Sequence, residues 1–548
     1  MIIGIDVGGT HADGVLLQGG TILAKKKVIL GGEALEESII TLLEALVPAD
    51  KNRLARIHLS TTLCTNALIQ DSLDRVGMFI QAGPGMNPEF LRCGDDVCFL
   101  SGAVDHRGQV LRGPSLAEVE EAAVVMREKN IESVGVVTKF SHRNNEHELW
   151  VRNKIADDFK HISLGHRLSG MPNFPRRVYT TWLNSALKSR FHLFRKAMQF
   201  GFSRLNIDCP CYILKADGGT ISFDGACEFP CQTIHSGPSA SVMGALALID
   251  GKKDAILLDI GGTTTDIALL ADGIPLLEPY GASVGGRPTL IRALLTRSVG
   301  LGGDSSVSWR DGSFRIGPER HGAPMTFGGA APTPTDAMRV LGRINEGQKA
   351  KARQAMEMLR PGEAAEKTAE ELLQCFADRV YEVVDGMIEE VFSRPVYTVS
   401  DFLEREKITP ENLIVIGGPA AALQSTLEST FHLPCLVPAD FEVANAVGAA
   451  RARLTVQASL YADTTQRRLA IPEISLLESI DKGFDMDSAE LRLEEAVRML
   501  ARELGGVAPS QVDFIERMQM NTVRGFATTG RIISLKAQIR PGLTEITE

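Results

Sequence analysis

The phrase Asp-x-Gly-Gly-Thr-x-x-Asp is written twice in this chain, at positions 6–13 and again 253 positions later at 259–266. Each copy follows an apolar run (MIIGID, AILLDI) and leads into another (GVLL, IALL). An apolar run that stops at an aspartate, turns through two glycines and resumes predicts a strand, a tight turn and a second strand. One copy is weak evidence, because Gly-Gly turns between strands are common. Two copies at this separation predict a duplication at domain scale, not a solenoid period. A length of 548 residues is too great for one core and predicts at least two domains.

The residues of the phrase suit phosphate. Glycines let a ligand approach the backbone with no Cβ in the way, and successive amides in such a turn form an anion-binding concavity. Gly8, Gly9 and Thr10 form the first turn; Gly261, Gly262, Thr263 and Thr264 form the second. Duplicated domains can face such turns across a cleft and hold a polyphosphate from both sides. An aspartate beside phosphate repels it unless a divalent cation intervenes. Asp6, Asp13, Asp259 and Asp266 therefore read as Mg²⁺-holding carboxylates, with Asp6 and Asp259 as the catalytic and metal candidates. The bland alternative is a pair of hairpins whose aspartates only stabilise turns.

Other stretches fill in an α/β order. EALEESIITLLEALV predicts a helix, and ARIHLSTTLCTNALIQ a strand running into a helix. SLAEVEEAAVVMREKN predicts an amphipathic helix, with Ser115 and Glu118 in a capping-box pattern. ESVGVVTKF reads as a strand, followed by a second helix from Asn144 and a long one from Val178 to about Gly201. PCYILKADGG reads strand into Gly turn, and IHSGPSASVMGALALI turn into helix. Residues 281–334 predict loops and short strands, and 345–391 a helical stretch broken at Pro361-Gly362. NLIVIGGPAAAL offers a third turn, Gly417-Gly418, suited to a flat adenosine. VANAVGAA is a helix start of small residues that lets two helices approach closely, with STTLCTNAL as its counterpart in the first lobe. After Thr455 the pattern changes to a small α+β module, with the helix LRLEEAVRMLARELGG and the alternating GRIISLKAQIRPG.

Composition excludes some classes. The formal net charge of −10 gives no electrostatic basis for binding nucleic acid or an anionic membrane. No apolar window is long enough to span a bilayer, and MIIGIDVGGT reads as a buried strand, not a signal segment, so a cytoplasmic location is expected. The nearest cysteine set, Cys209, Cys211, Cys227 and Cys231, lacks a usual zinc spacing and reads as strand cysteines.

IGIDVGGTHAD, STTLCTNAL, HSGPSASVMGA, LDIGGTTTDIAL, VGLGGDSSV, IGPERHGAP and TPTDAMRVLGR occur in that order. With IVIGGPAAAL and VANAVGAA this set resembles the actin, sugar kinase and heat-shock chaperone ATPases. Within them it resembles the hydantoinase A and 5-oxoprolinase family, which includes the acetone carboxylase ATP-binding subunit. The resemblance implies a two-lobed, duplicated actin-like (ribonuclease H-like) α/β ATPase body with a small α+β C-terminal module. It implies boundaries at 1–177 for the N-terminal region (a first lobe with an α/β insertion), 178–455 for the main domain and 456–548 for a shortened tail. It implies ATP and Mg²⁺ as cofactors, with phosphates on the two Asp-Gly turns and on the Ser236-Gly237 helix start. The activity it implies is ATP-dependent phosphorylation of a carbonyl oxygen in a cyclic amide such as a hydantoin or 5-oxoproline, which drives ring opening. A second, hydantoinase B-like subunit and an oligomer are further implications. Rival readings are a carboxylase subunit or small-molecule kinase of the same fold, and a nucleotide-driven regulator that reactivates another protein.

The resemblance has departures. His11 and Ala12 stand where the family usually has Phe-Thr, and Leu59-Ser60-Thr61-Thr62 where it has His-Gly-Thr-Thr, with His58 one position early. LTRSVGLGGD replaces an Asp-x-His stretch, and Phe327-Gly328 stand near a missing family cysteine. These changes fall on the substrate side, where Thr61, Thr62, Asn66, Asp304 and Asp336 are the candidates. Asp304 reads as a replacement ligand. Asp336 after TPT reads first as a helix cap. His58 and His235 read as structural, and Arg176-Arg177 as a solvated charge pair.

Overall fold

The computed structural model describes residues 1–8, 11–29, 35–249, 253–393, 408–505 and 511–544. The chain divides into two units by its own contacts. The first gathers Met1–Gly237, Glu278–Ala293 and Ala452–Glu548, and the second Pro238–Leu277 and Leu294–Arg451.

In the first unit, Ile2–Val7 is the centre of a mixed six-stranded sheet. It pairs antiparallel with His11–Gln18, which pairs antiparallel with Thr21–Ile29. On its other side lies Arg56–Thr61, parallel, and next to that Cys211–Leu214, also parallel. The second unit repeats this. Ala255–Ile260 pairs antiparallel with Thr265–Ala271, which pairs antiparallel with Ile274–Pro275. On the other side Asn412–Ile416 and then Cys435–Leu436 run parallel. Leaving aside Thr220–Ser222, which adds a sixth strand beyond Cys211–Leu214 in the first sheet, and Thr296–Val299, which pairs with Thr265–Ala271 in the second, the five remaining strands of both sheets read 3-2-1-4-5 when numbered by chain order. The repeated phrase is thus the first hairpin of each of two sheets of one topology, as the duplication implies.

The central strands are buried because both faces are covered. Ile3, Ile5, Ile57, Leu59 and Ile213 share one core with the long helix Phe174–Arg204. Leu258, Ile260, Leu413 and Val415 share another with the helix Ala365–Ser393. That helix and Lys349–Leu359 flank the break expected at Pro361-Gly362.

Comparing the topologies corrects one pairing read from sequence. Residues 60–68 close the fourth strand of the first sheet and open the helix Leu63–Ile69. Their counterpart is the fourth strand of the second sheet with its Gly417 turn and the helix Ala420–Phe431, not VANAVGAA. VANAVGAA forms Ala444–Arg451, which follows the fifth strand. Its counterpart is Ser236–Leu248, which comes after the fifth strand of the first sheet once the short strand Thr220–Ser222 and the helix Phe223–Glu228 have intervened. These two helices do make the close approach expected of small residues. A Cβ on Gly244 would run into the Ala444 carbonyl oxygen, and one on Gly448 would lie 2.8 Å from the Gly244 Cα.

Inserted in the first unit is a parallel four-stranded sheet in the order His161–Leu164, Ser133–Thr138, Val76–Gln81, Asp96–Phe99. The helix Leu116–Glu128 covers it, but Ser115 makes no side-chain cap bond. Glu118 turns instead to the Ser101 amide, which donates to it at 2.7 Å, so tertiary packing overrides the local capping pattern.

The tail is an α+β module as read from its pattern. Its five-stranded antiparallel sheet is covered by the helix Met486–Gly505. Its apolar face, with Leu460, Leu493, Val497 and Leu535, joins the core of the first sheet. A buried polar tie also holds it. Glu148 accepts from the Thr138 and His166 amides and from His166 Nδ1 at 2.6 Å, while His166 Nε2 meets Ser475 Oγ at 2.9 Å. Arg177, expected to be solvated, is fully buried beside this tie and donates to the Ser169 and Met171 carbonyls. Among the described residues no helix is long and apolar enough to cross a membrane.

Candidate functional site

The second turn is described in full. Asp259 is penultimate in its strand and pairs in register with Asp266 across the hairpin and with Ile416 on the parallel side. The Gly261 amide donates to the Thr264 carbonyl at 2.9 Å and closes the turn. The amides of Gly262, Thr263 and Thr264 make no hydrogen bond among the described residues. Gly262 and Thr263 are half-buried and Thr264 is exposed, and three unspent amides in succession at a glycine turn make an anion cradle open to a ligand. A loop expected only to be Gly-rich braces it. Gly303 and Asp304 donate their amides to the Gly261 and Gly262 carbonyls, at 3.0 and 2.6 Å. A Cβ on Gly302 would stand 2.5 Å from Thr263 N, so glycine is needed for the approach.

Burial dominates the electrostatics here. It pushes the Asp259 carboxyl up to about 6; the hydrogen bond from Ser241 opposes this and the Asp266 charge adds to it. Asp266 is also pushed up by burial, against a hydrogen bond from Ser298. A carboxylate desolvated to this degree gains from a cation. Gly417 sits directly against it, at φ 93°, where a Cβ would lie 2.8 Å from Asp259 Oδ1. Gly418 faces open space. The third turn thus lines the same strand edge as the second.

Asp304 lies beside this turn, but its carboxylate is engaged by Arg320 at 3.0 Å and by Thr335 Oγ1 at 3.1 Å. Asp336 is fully buried. It accepts from the Met325, Thr326 and Thr333 amides and forms a capping box with Thr333. Its local chemistry is that of a cap.

In the first unit Asp6 is likewise penultimate in its strand and pairs in register with Asp13 and Ser60. The Gly8 amide donates to the His11 carbonyl at 3.0 Å, the same turn-closing bond as in the second copy. Gly9 and Thr10 lie outside the described residues. The copies differ at their second aspartate, for Asp13 is paired with Lys27 at 3.1 Å. They differ also at Ala12. Its counterpart, Thr265, donates its hydroxyl to the Leu301 carbonyl at 2.6 Å and so pegs the bracing loop. Ala12 is fully buried in the apolar core. The missing hydroxyl is therefore a structural peg with no place in the first copy. Ala12→Thr is expected to destabilise the chain by about 1–3 kcal/mol, since it adds volume and an unmet hydroxyl to a packed core; a thermal melt checks this.

Next to the first turn the structure brings together most of the candidates read from STTLCTNAL and HSGP. Ser236 Oγ donates to the Thr61 carbonyl at 3.0 Å, and the His235 amide to Thr65 Oγ1 at 3.3 Å. Asn66 Nδ2 donates to Thr62 Oγ1 at 3.2 Å. Gly237 follows in the same helix start, with open space where a Cβ would stand. His235 takes φ 63° at this turn, and burial lowers its pKa. His58 is buried with its ring 5.1 Å from that of Tyr212, its neighbour in register. Sequence reasoning missed Ser241, Lys27 and Thr335. One of three serines, with Ser236 and Ser239, in a run of small helix residues was the available signal for the first.

The family profile described as Hydantoinase/oxoprolinase matches residues 177–458, and that described as Hydantoinase/oxoprolinase N-terminal region matches 2–159. A 5-oxoprolinase from Saccharomyces cerevisiae is 28% identical over 45% of this chain and 19% of its own length. The acetophenone carboxylase gamma subunit of Aromatoleum aromaticum is 26% identical over 63% of this chain and 53% of its own. Among solved structures, an ATP-dependent caprolactamase from Pseudomonas jessenii superposes with a TM-score of 0.73 at 17% identity, over 98% of this chain and 87% of that one. That likeness shows a shared fold. The matches span less than half the length of most of these curated relatives.

Proposed function

The chain belongs to the hydantoinase/oxoprolinase family, and from that premise we propose that it is an ATP-dependent enzyme, or the ATP-hydrolysing part of one, acting on a cyclic amide. The carrying observation is the second turn, with three unspent amides in succession beside a half-buried carboxylate whose pKa desolvation raises. In this reading the Gly262, Thr263 and Thr264 amides bind phosphate oxygens, and the first turn, with Gly8, Gly9 and Thr10, does the same in its copy. Gly417 and Gly418 receive the adenosine, and the Ser236-Gly237 helix start adds a further positive end. Mg²⁺ suits hard carboxylate oxygens and keeps much of its water. Asp6 and Asp259, each penultimate in a strand that ends at a glycine turn, fit that donor chemistry, with Asp13 and Asp266 behind them. When bound, the ion offsets the phosphate charge. Asp259, oriented by Ser241, positions the attacking group, and the turn amides stabilise charge as it develops.

The reaction phosphorylates the carbonyl oxygen of a resonance-stabilised lactam and gives water a good leaving group to displace. Thr61, Thr62 and Asn66 are the substrate-side candidates; Asp304 serves by holding the turn, and Asp336 by capping. A second subunit that completes the activity, and an oligomeric assembly, belong to the same proposal. So does a carboxylase role, on the likeness to the acetophenone carboxylase subunit. The test is ATP turnover by the purified chain with Mg²⁺ against a panel of hydantoins, 5-oxoproline and simple lactams, and separately against ketones with bicarbonate. Stimulation at least about tenfold over the basal rate by a cyclic amide is the expected result. Stimulation only by ketone with bicarbonate would assign the carboxylase role, and ATP turnover raised by a protein and by no carbonyl compound would assign a regulator.

A further inference from the structure

A cavity of about 460 Å³ lies within the first unit, away from the glycine turn, where the first turn of the long helix meets the stretch around Cys93 and the hairpin that carries Arg287. Its size suits a small organic molecule. The lining contains three arginines and no aspartate or glutamate. Arg92 is held by Glu89 at 2.8 Å. Arg176 and Arg287 have no carboxylate within ion-pair distance among the described residues. Arg176 spends part of its guanidinium on the Tyr280 carbonyl. Arg287 has its guanidinium carbon 5.2 Å from the centre of the Tyr179 ring. Tyr179 itself stacks on Trp182 at 5.5 Å and 15°. Such packing fixes the plane of a guanidinium and leaves its edge for a planar, bidentate acceptor.

No other lining group supplies negative charge. Burial pushes the Cys93 thiol up to about 12 and raises the Tyr179 hydroxyl, so both are neutral. The start of the 31-residue helix Phe174–Arg204, with Asn173, Pro175 and Arg176 in the lining, opens on the same space. Its dipole favours an anion there. The remaining walls, Phe90, Val178 and Pro288, are apolar, and the lining has neither lysine nor serine nor threonine. A free phosphate would need donors on several sides. A flat carboxylate with an apolar body needs one fork and a greasy wall. We propose that this cavity is a binding site for a small organic carboxylate, gripped by Arg287 and Arg176 with its body against Tyr179.

This inference stands apart from the nucleotide reading, and its test uses neither ATP nor metal. The full chain is titrated with 4-fluorobenzoate and the binding is followed by ¹⁹F line broadening. The neutral isostere 4-fluorobenzamide and competing inorganic phosphate are run in parallel. Saturable binding of the benzoate is expected, with the benzamide weaker by about tenfold or more, as for loss of a charge-assisted pair. Arg287→Met should weaken the benzoate by about tenfold or more while leaving the melting temperature in place, since the side chain is exposed. Equal binding of amide and acid, no saturable binding of either, an unaffected Arg287→Met, or displacement by phosphate at equal concentration would each overturn the proposal.

Discussion

Asp259→Asn and Asp6→Asn are each expected to cut Mg²⁺-dependent ATP turnover by about a thousandfold, the scale of removing one preorganised charge from a phosphoryl-transfer site. The two copies predict the same loss by the same argument, since each aspartate is penultimate in the central strand of a 3-2-1-4-5 sheet. A simple loss of activity would not separate this from misfolding, but stability does. Burial holds the Asp259 carboxyl near 6, above its value in an unfolded chain. The folded state therefore binds the proton more tightly, and its stability falls as pH rises from about 4 through 6. Above that window the cost is fully present. Asparagine carries no charge to desolvate. In EDTA at pH 7.5 the Asp259→Asn chain should be as stable as the parent or more so, by up to about 3 kcal/mol, with a flatter stability profile between pH 4 and 6. A variant that is both inactive and less stable would argue that Asp259 is structural. Two active variants would remove the phosphate-site assignment altogether.

Much of this site was legible because its signal is local. An aspartate, two glycines and a threonine between apolar runs specify strand, turn and strand with little help from elsewhere, and the second copy showed that the pattern was not accidental. The third turn at Gly417 was legible for the same reason. What escaped depends on pairing across long separations. Cys211–Leu214 joins the first sheet beside Arg56–Thr61, some 150 residues earlier, and only that pairing reveals that Ser236–Leu248 and Ala444–Arg451 are counterparts. Lys27 faces Asp13 because of hairpin register. Ser241 reaches Asp259 because a helix crosses the strand end. Glu118 had the spacing of a capping box and was drawn to the Ser101 amide instead. Arg177 looked like half of a surface charge pair, yet it is buried with its donors on carbonyls. In each case a local preference worth about 1 kcal/mol yielded to burial or to a better partner.

The helix pair is where such a long-range constraint should be most costly to break. Gly448→Ala adds one carbon where the Ala240 carbonyl oxygen and the Gly244 backbone already stand. Neither neighbour is a flexible side-chain end, so nothing can swing aside and the helices must part. Parting them opens the packing of Val242, Ala245 and Ala444 on the second sheet, which they share with Leu257 and Ile414. The expected cost is about 3 kcal/mol or more, at the upper end of overpacking effects. In a helix without that neighbour, Gly→Ala would stabilise by up to about 1 kcal/mol, so even the sign of the effect is diagnostic. The control is Gly386→Ala in the helix Ala365–Ser393, where a Cβ would meet nothing within 4 Å. A lower melting temperature for Gly448→Ala with an unchanged or higher one for Gly386→Ala would show that close approach, not helix propensity, fixes the glycine. Equal behaviour of the two would mean that the helices are not in contact at that point. Because Ala444–Arg451 follows the last strand of the second sheet and Ser236–Leu248 leads into its first, a separation there should also disturb the strand end at Asp259. ATP affinity should then fall in Gly448→Ala even at temperatures where the chain stays folded.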